Sequence, residues 1–158
     1  MDPSQWIAAF RALHERVKKG DASPEEKDRH LAMRREFARS LAAAQGLGVP
    51  DGQDARKHFR VAQVYNLEVN NAYRAVTRDI SRSGFSALVP GSFKEGEEVL
   101  FSIQPGRGVD PIQGRARVVS SVKQPGNSKV AFAVTTISED AAERLEMALF
   151  DAALARFT

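Results

Sequence analysis

The chain has 158 residues and a formal net charge of +3, a length that suits one domain or one domain with an appendage. It contains no cysteine, which excludes disulfides, thiolate zinc sites and cysteine nucleophiles. No apolar stretch approaches the roughly 18 residues that a membrane-spanning helix requires, and the N-terminal residues lack the basic region of a secretory signal. We therefore expect a cytoplasmic protein without a membrane partner.

Charge is distributed unevenly along the chain. Residues 1–50 and 51–137 carry net charges of +2 and +4, whereas residues 138–158 carry −3. A mildly basic middle suits a small anionic ligand better than a long nucleic acid, which requires a dense basic stripe. We therefore do not expect nucleic acid to be a partner.

Residues 1–45 are predicted to form an antiparallel helical hairpin. The apolar residues of the first helix recur at spacings of three and four: Trp6, Phe10, Leu13 and Val17. Gly20 can end this helix. Ser23 and Glu26 fit the capping box that begins a second helix, which Gly46 can end. Isolated short helices are marginal in water, so both apolar faces must be buried against each other or against another part of the protein.

A linker and a β-domain follow the hairpin. Residues 46–55 contain three glycines and one proline, a composition typical of a linker. Hydrophobic residues then alternate with a period of two, which predicts strands near 61–69, 73–80, 84–89, 97–104, 112–122 and 128–136. Six short strands separated by turn signals indicate a closed or nearly closed antiparallel barrel.

The chain is predicted to end in a helix over residues 138–157. Ser138 can cap it, and the acidic residues that follow suit the positive end of the helix dipole. Its apolar face is wider than one barrel contact covers, so we expect a second contact with the N-terminal hairpin or with another subunit. The predicted fold class is α+β and mainly β, with three parts: the hairpin (1–45), a flexible linker (46–55) and a barrel with a C-terminal helix (56–158).

Two arginines, Arg56 and Arg60, lie four residues apart at the end of the linker. Guanidinium groups bind phosphate oxygens or the O6 and N7 atoms of guanine in a bidentate manner. Two of them on an extended-to-turn segment can converge on one ligand. The alternative is a solvated basic patch in front of a strand.

A second polar cluster lies at the break between two predicted strands and contains Asp79, Ser81 and Gly84. The carboxylate of Asp79 can accept hydrogen bonds from the N1 and N2 groups of guanine, and the hydroxyl of Ser81 can donate or accept. Gly84 allows either a positive φ or a close backbone approach. The alternative is an ordinary polar turn.

Together the two clusters resemble the motifs of the PilZ domain family, bacterial receptors for cyclic di-GMP. Its RxxxR pattern matches Arg56 and Arg60, and its DxSxxG pattern begins at Asp79, 19 residues after the second arginine. The resemblance covers about residues 54–157. Three later stretches also resemble the family's sequence: 96–99, 114–119 and 130–132.

The resemblance implies a six-stranded antiparallel barrel with cyclic di-GMP on its outer face and no other cofactor. It implies that Arg56 and Arg60 hold the phosphates and the guanine Hoogsteen edges. By the same resemblance Asp79 and Ser81 contact a guanine edge and the backbone, and Gly84 shapes the turn.

The leading hypothesis is a receptor that acts as an adaptor. The nucleotide would draw the RxxxR segment onto the barrel, order residues 46–60 and reorient the hairpin towards an unidentified protein partner or a second copy of the chain. The resemblance also implies that the residue before RxxxR influences whether one nucleotide or a stacked pair binds. Here that residue is Ala55, which has no guanidinium to stack on a second nucleotide, and this favours one nucleotide per domain. Because the motif begins after the linker, the barrel is expected to fold without residues 1–50. The regulated process, with motility or biofilm formation among the candidates, is left open.

The alternative hypothesis is a PilZ-like interaction module that binds no nucleotide, for example in type IV pilus assembly. An enzyme is not expected, because no nucleophile–base or acid–base group of residues is present. His14 and His30 have no partners at metal-ligand spacing and are expected to be packed or solvated. Trp6 is expected to anchor the hairpin.

Overall fold

The computed structural model describes residues 2–45 and 58–157. Two helices come first, α1 (Pro3–Lys19) and α2 (Pro24–Ala44), and α3 (Glu139–Leu154) follows the last strand and continues into a 3₁₀ turn, Ala155–Phe157. The strands are β1 (Arg60–Val61), β2 (Asn66–Val69), β3 (Tyr73–Ser81), β4 (Gly84–Val89), β5 (Glu98–Gln104), β6 (Ile112–Gln124) and β7 (Asn127–Ile137). Gly46, the predicted linker 46–55 and Arg56 lie outside the described residues.

The helix ends follow the predicted capping signals. The hydroxyl of Ser23 accepts a hydrogen bond from the backbone N–H of Glu26, and the carboxylate of Glu26 accepts one from the backbone N–H of Ser23, so the capping box is confirmed. Gly20 adopts the left-handed conformation at the end of α1, with φ 78°. Ser138 caps α3. These local hydrogen bonds satisfy backbone groups that the helices themselves leave unpaired.

Six strands close into an antiparallel barrel in the order β3–β2–β5–β6–β7–β4, and β4 pairs with β3 to complete the circle. The predicted fold class, a six-stranded barrel with a C-terminal helix and an N-terminal hairpin, is confirmed. The predicted first strand, 61–69, is instead divided into β1 and β2, which pair with opposite ends of β3. The hydroxyl of Thr77 donates to the carbonyl of Gln63 (2.7 Å) and accepts from the N–H of Tyr65 (2.9 Å). A side chain thus takes over hydrogen bonds where the regular ladder is interrupted.

The barrel interior is filled by side chains from alternating positions of the strands. Phe85 stacks on Phe132 with ring centroids 4.9 Å apart and meets the edge of Phe101 at 5.3 Å. Aliphatic side chains surround these rings and are buried with them: Leu67, Val69, Ile80, Val99, Ile103, Ile112 and Val130.

The N-terminal hairpin packs on α3, and both belong to one hydrophobic core with the barrel. Phe150 of α3 lies at the centre, with ring centroids 6.0 Å from Phe10, 5.9 Å from Phe37 and 5.2 Å from Phe59. The wide apolar face of α3 therefore has its second contact within the chain. Trp6 packs against Phe10 and Phe37, as expected for an anchor of the hairpin.

Polar contacts accompany this apolar packing. Arg34 of α2 forms ion pairs with Glu143 (2.5 Å) and Glu146 (2.9 Å) of α3. His14 and His30 are buried and lie 3.0 Å apart between Nδ1 and Nε2, and the Nε2 of His14 is 2.8 Å from a carboxylate oxygen of Asp151. Within residues 2–45 and 58–157, no three His, Asp or Glu side chains are grouped so as to hold a metal ion.

The three α-helices do not have the character of membrane spans. In the described part of the chain, none of them combines the length and the apolar character needed to cross a bilayer. Their apolar faces instead contribute to the shared core.

Candidate functional site

The centre of the site is an ion pair between β1 and β3. Arg60 begins β1 and lies opposite Ser81 in the strand register, so its side chain extends along β3 towards Asp79. The Nη1 atom of Arg60 lies 2.7 Å from Oδ1 of Asp79, and the two side chains are 40% and 41% exposed. Because both groups are open to solvent, a ligand can reach them.

Asp79 is held from its other side by a serine of the neighbouring strand. The register between β3 and β4 shifts between Thr77 and Asp79, which places Asp79 opposite Ser86. The hydroxyl of Ser86 donates to Oδ2 of Asp79 at 3.0 Å. Each carboxylate oxygen therefore has one partner within the chain and keeps further acceptor capacity for a ligand.

Ser81 lies at the corner between β3 and β4 and is 1% exposed. Its hydroxyl donates to the carbonyl of Gly84 (3.2 Å) and accepts from the N–H of Ser83 (3.2 Å). In this structure Ser81 therefore fixes the turn beside Asp79, and its side chain is not open to solvent.

Gly84 is required by a close backbone approach. A Cβ atom at this position would lie 2.4 Å from the carbonyl oxygen of Phe132 on β7. The φ of Gly84 is not positive. Close backbone approach is therefore the reason for glycine here, and not a left-handed conformation. The absence of a side chain keeps the turn tight against the sheet.

The backbone of Arg60 is attached to the end of α2. The side chain of Gln45 accepts a hydrogen bond from the Arg60 N–H (2.7 Å) and donates one to the Arg60 carbonyl (2.5 Å). A cavity of about 430 Å³ opens between this contact, the Arg60–Asp79 pair and the last turn of the chain, where it is lined by Arg156 and Phe157. The hairpin is thus in direct contact with the predicted site.

The structure brings together four of the five residues predicted for the site. Arg60, Asp79, Ser81 and Gly84 share the corner formed by β1, β3 and β4. Arg56 lies outside the described residues.

Sequence reasoning missed two residues of this corner. Ser86 could have been found by extending the register across the turn between β3 and β4. Gln45 offers no local signal, because it lies 15 residues from its partner.

The model of one family, the PilZ domain, matches residues 53–151. This range contains the whole barrel, most of α3 and all five residues predicted for the site. No curated protein matches the chain.

Several solved structures share the fold. The Bacillus subtilis inhibitor of motility MotI/DgrA aligns at 18% identity with a TM-score of 0.55, over 61% of this chain and 50% of that one. YcgR from Escherichia coli in complex with c-di-GMP aligns at 20% identity with a TM-score of 0.50, over 62% of this chain and 45% of that one. The separate PilZ domain of YcgR from Escherichia coli with c-di-GMP aligns at 17% identity with a TM-score of 0.51, over 62% of this chain and 91% of that one. The chain thus aligns with about half the length of the first two proteins.

Proposed function

The chain belongs to the PilZ domain family, and we propose that it is a receptor for cyclic di-GMP that transmits the level of this second messenger to a partner protein. The observation that carries the proposal is the exposed Arg60–Asp79 pair on the outer face of the barrel. Two of the similar structures hold c-di-GMP. We propose a binding function without catalysis and without another cofactor.

The chemistry of the pair suits a cyclic dinucleotide, which presents two phosphates and two guanines. Arg60 uses one N–H group on Asp79 and keeps others for phosphate oxygens or the guanine Hoogsteen edge. Asp79 can accept from the N1 and N2 groups of guanine. Arg56 would supply the second guanidinium, while Ser81 and Gly84 hold the corner in shape.

The contact between Gln45 and Arg60 suggests how binding is transmitted. These two residues are joined by two hydrogen bonds, and residues 46–59 connect them along the chain. A ligand that repositions Arg60 would pull on the end of α2, order residues 46–60 and change the surface that the hairpin offers to a protein partner or a second copy. This requires a ligand that binds the two arrangements with different affinity.

Calorimetric titration with cyclic di-GMP tests the binding function. We expect Arg60→Ala to weaken binding at least tenfold, because a charge-assisted hydrogen bond contributes about 1.5–3 kcal/mol. Arg74→Ala is the matched control, since Arg74 is an exposed arginine on the same β-domain that lies opposite Glu68. Equal binding by wild type and Arg60→Ala would remove the arginine from the site.

Hydrogen exchange tests the transmission step. On addition of cyclic di-GMP we expect slower exchange in residues 50–62 and 78–85. Strands β5 and β7 are paired on both sides within the closed sheet and should change little. Unchanged exchange in residues 50–62 at saturating ligand would leave a rigid receptor, recognised through its nucleotide-covered surface.

One observation favours the second candidate function, a PilZ-like interaction module that binds no nucleotide. Asp79 has a partner for each carboxylate oxygen, in Arg60 and in Ser86, so the corner is stable without a ligand. Failure of the wild-type chain to bind cyclic di-GMP in the same titration would select this function.

A further inference from the structure

The outer face of the barrel extends from the Arg60–Asp79 pair across four strands to β6. The register places Asp79 opposite Ser86 on β4, Ser86 opposite Ala131 on β7, and Ala131 opposite Ser120 on β6. This row of four residues crosses three strand spacings, so β3 and β6 are about 14 Å apart along it.

The next row ends in an arginine. Gly84 of β4 lies opposite Ala133 of β7, and Ala133 lies opposite Arg117 of β6. Inward-facing Phe85 and Phe132 are buried, so Gly84, Ala133 and Arg117 belong to the outer face, since neighbouring side chains of a strand point to opposite sides.

The middle of this face is low because its side chains are small. Gly84, Ser86, Ala131 and Ala133 form a floor between the Arg60–Asp79 pair on one side and Arg117 on the other. None of these four residues carries a long side chain. A flat ligand with charges at two edges can therefore lie across it.

Arg117 lies opposite a carboxylate but forms no ion pair with it. Glu98 of β5 lies opposite Arg117 in the register, but its carboxylate lies 3.8 Å from Arg115 instead. Arg117 is exposed, and no ion pair of its own is formed with the side chains of residues 2–45 or 58–157. Its guanidinium is available to an anion.

We propose that Arg117 is a further binding residue of the nucleotide site, contacting a phosphate or guanine of a ligand that lies across the floor from Arg60. The inference rests on the proposed function and extends the site from the corner of β1, β3 and β4 to β6. It assigns the two ends of the ligand to different edges of the same face.

Titration of the full chain with cyclic di-GMP tests the charge. We expect Arg117→Ala to weaken binding about tenfold, the loss of one charge-assisted contact. Lys123→Ala, which removes another exposed positive charge from β6, should bind within about twofold of wild type. Arg117→Lys should bind between these two, because lysine keeps the charge but loses the bidentate geometry.

The outcomes separate the inference from the proposed function. If wild type binds, Arg60→Ala does not, and Arg117→Ala binds like wild type, the inference is overturned and the function stands. If wild type itself does not bind, both fall. A loss of affinity with Lys123→Ala as large as with Arg117→Ala would point to general attraction and would also overturn the inference.

A second variant tests the floor without changing any charge. Ala133→Leu raises the floor between Arg117 and Gly84 and should weaken binding, whereas Ser102→Leu, on the outer face of β5, should not. Thermal unfolding of both variants checks that the barrel is intact. Wild-type affinity in a folded Ala133→Leu protein would show that the ligand does not cross this face.

Discussion

Arg60 is held at two points, by its side chain and by its backbone. The motif predicts that its side chain binds an anion, and the structure places that side chain beside Asp79. The motif says nothing of its backbone, which Gln45 holds through two hydrogen bonds. That contact depends on how the hairpin is placed on the barrel, and no local pattern encodes the placement.

Gly84 illustrates a residue whose type is predictable and whose reason is not. Glycine next to a polar turn allows either a positive φ or a close contact, and both leave the same trace in the sequence. A Cβ atom at this position would lie 2.4 Å from the carbonyl oxygen of Phe132, so the close contact is the reason. This distance depends on the pairing of β4 with β7.

The paired histidines act together with Asp151. A carboxylate only accepts hydrogen bonds, so with both rings neutral the Nε2–H of His14 donates to Asp151, and the Nε2–H of His30 donates to Nδ1 of His14. Burial lowers the pKa of His30 to about 4, and the neighbouring His14 and Arg34 act in the same direction. Protonation of His30 leaves its Nε2–H bond to His14 in place, so its cost lies in the positive charge that it buries between the helices.

We predict that the free energy of unfolding falls as the pH is lowered from about 6.5 to about 4. In this range the unfolded His30 binds a proton that the folded one does not, so stability decreases towards acid. The change is on the order of 3 kcal/mol for this residue. The pKa of Asp151 is also lowered, because hydrogen bonds from His14 and Lys18 outweigh its burial, and its contribution is lost towards acid as well.

Urea unfolding at several pH values measures this dependence. His30→Gln is the matched variant, because the amide can still donate to His14 but does not titrate. It should show a flatter profile than wild type between pH 4 and 6.5. Equal slopes for the two proteins would exclude His30 as the origin of the dependence.

At the scale of the elements, local signals predict most of the fold. The two hairpin helices, the strands of the barrel and α3 lie where periodicity, capping residues and turn residues indicate them. The interruption of the predicted strand 61–69 was missed, because it arises from the hydroxyl of Thr77 on another strand. A threonine in an alternating pattern is otherwise an ordinary strand residue.

The connection between β6 and β7 is shorter than the sequence predicts. The predicted strands leave residues 123–127 between them. The strands continue to Gln124 and from Asn127, so only Pro125 and Gly126 form the turn, and Gly126 has a φ of 83°. Proline followed by glycine suits the two central positions of a type II turn. The residues next to the turn are polar, and Lys123 and Gln124 are exposed. They therefore show no hydrophobic alternation from which the strand ends could be predicted.

For the whole molecule, the sequence shows which helix faces are apolar and must be buried, but it does not show which surface buries them. The hairpin and α3 each present an apolar face in the sequence, and the alternatives of internal docking and self-association were equally compatible with it. The structure joins them through Phe10, Phe37 and Phe150. The rings interlock in three dimensions, and the spacing along each helix carries no information on that fit.

This shared cluster leads to a prediction for the chain without its hairpin. Removal of residues 1–45 uncovers the side of Phe150 and Leu154 that is buried in the full chain, and Arg34 no longer pairs with Glu143 and Glu146. We therefore expect the truncated protein to unfold at a lower temperature and to bind a hydrophobic dye, in contrast to the independently folded barrel that is expected from a motif that begins after the linker. In the full chain, Phe37→Ala should cost about 3–5 kcal/mol, whereas Leu31→Ala, at a side chain 42% exposed, should cost much less. If the truncated protein unfolds cooperatively at the temperature of the full chain, the hairpin is an appended unit and its contacts with α3 contribute little to stability.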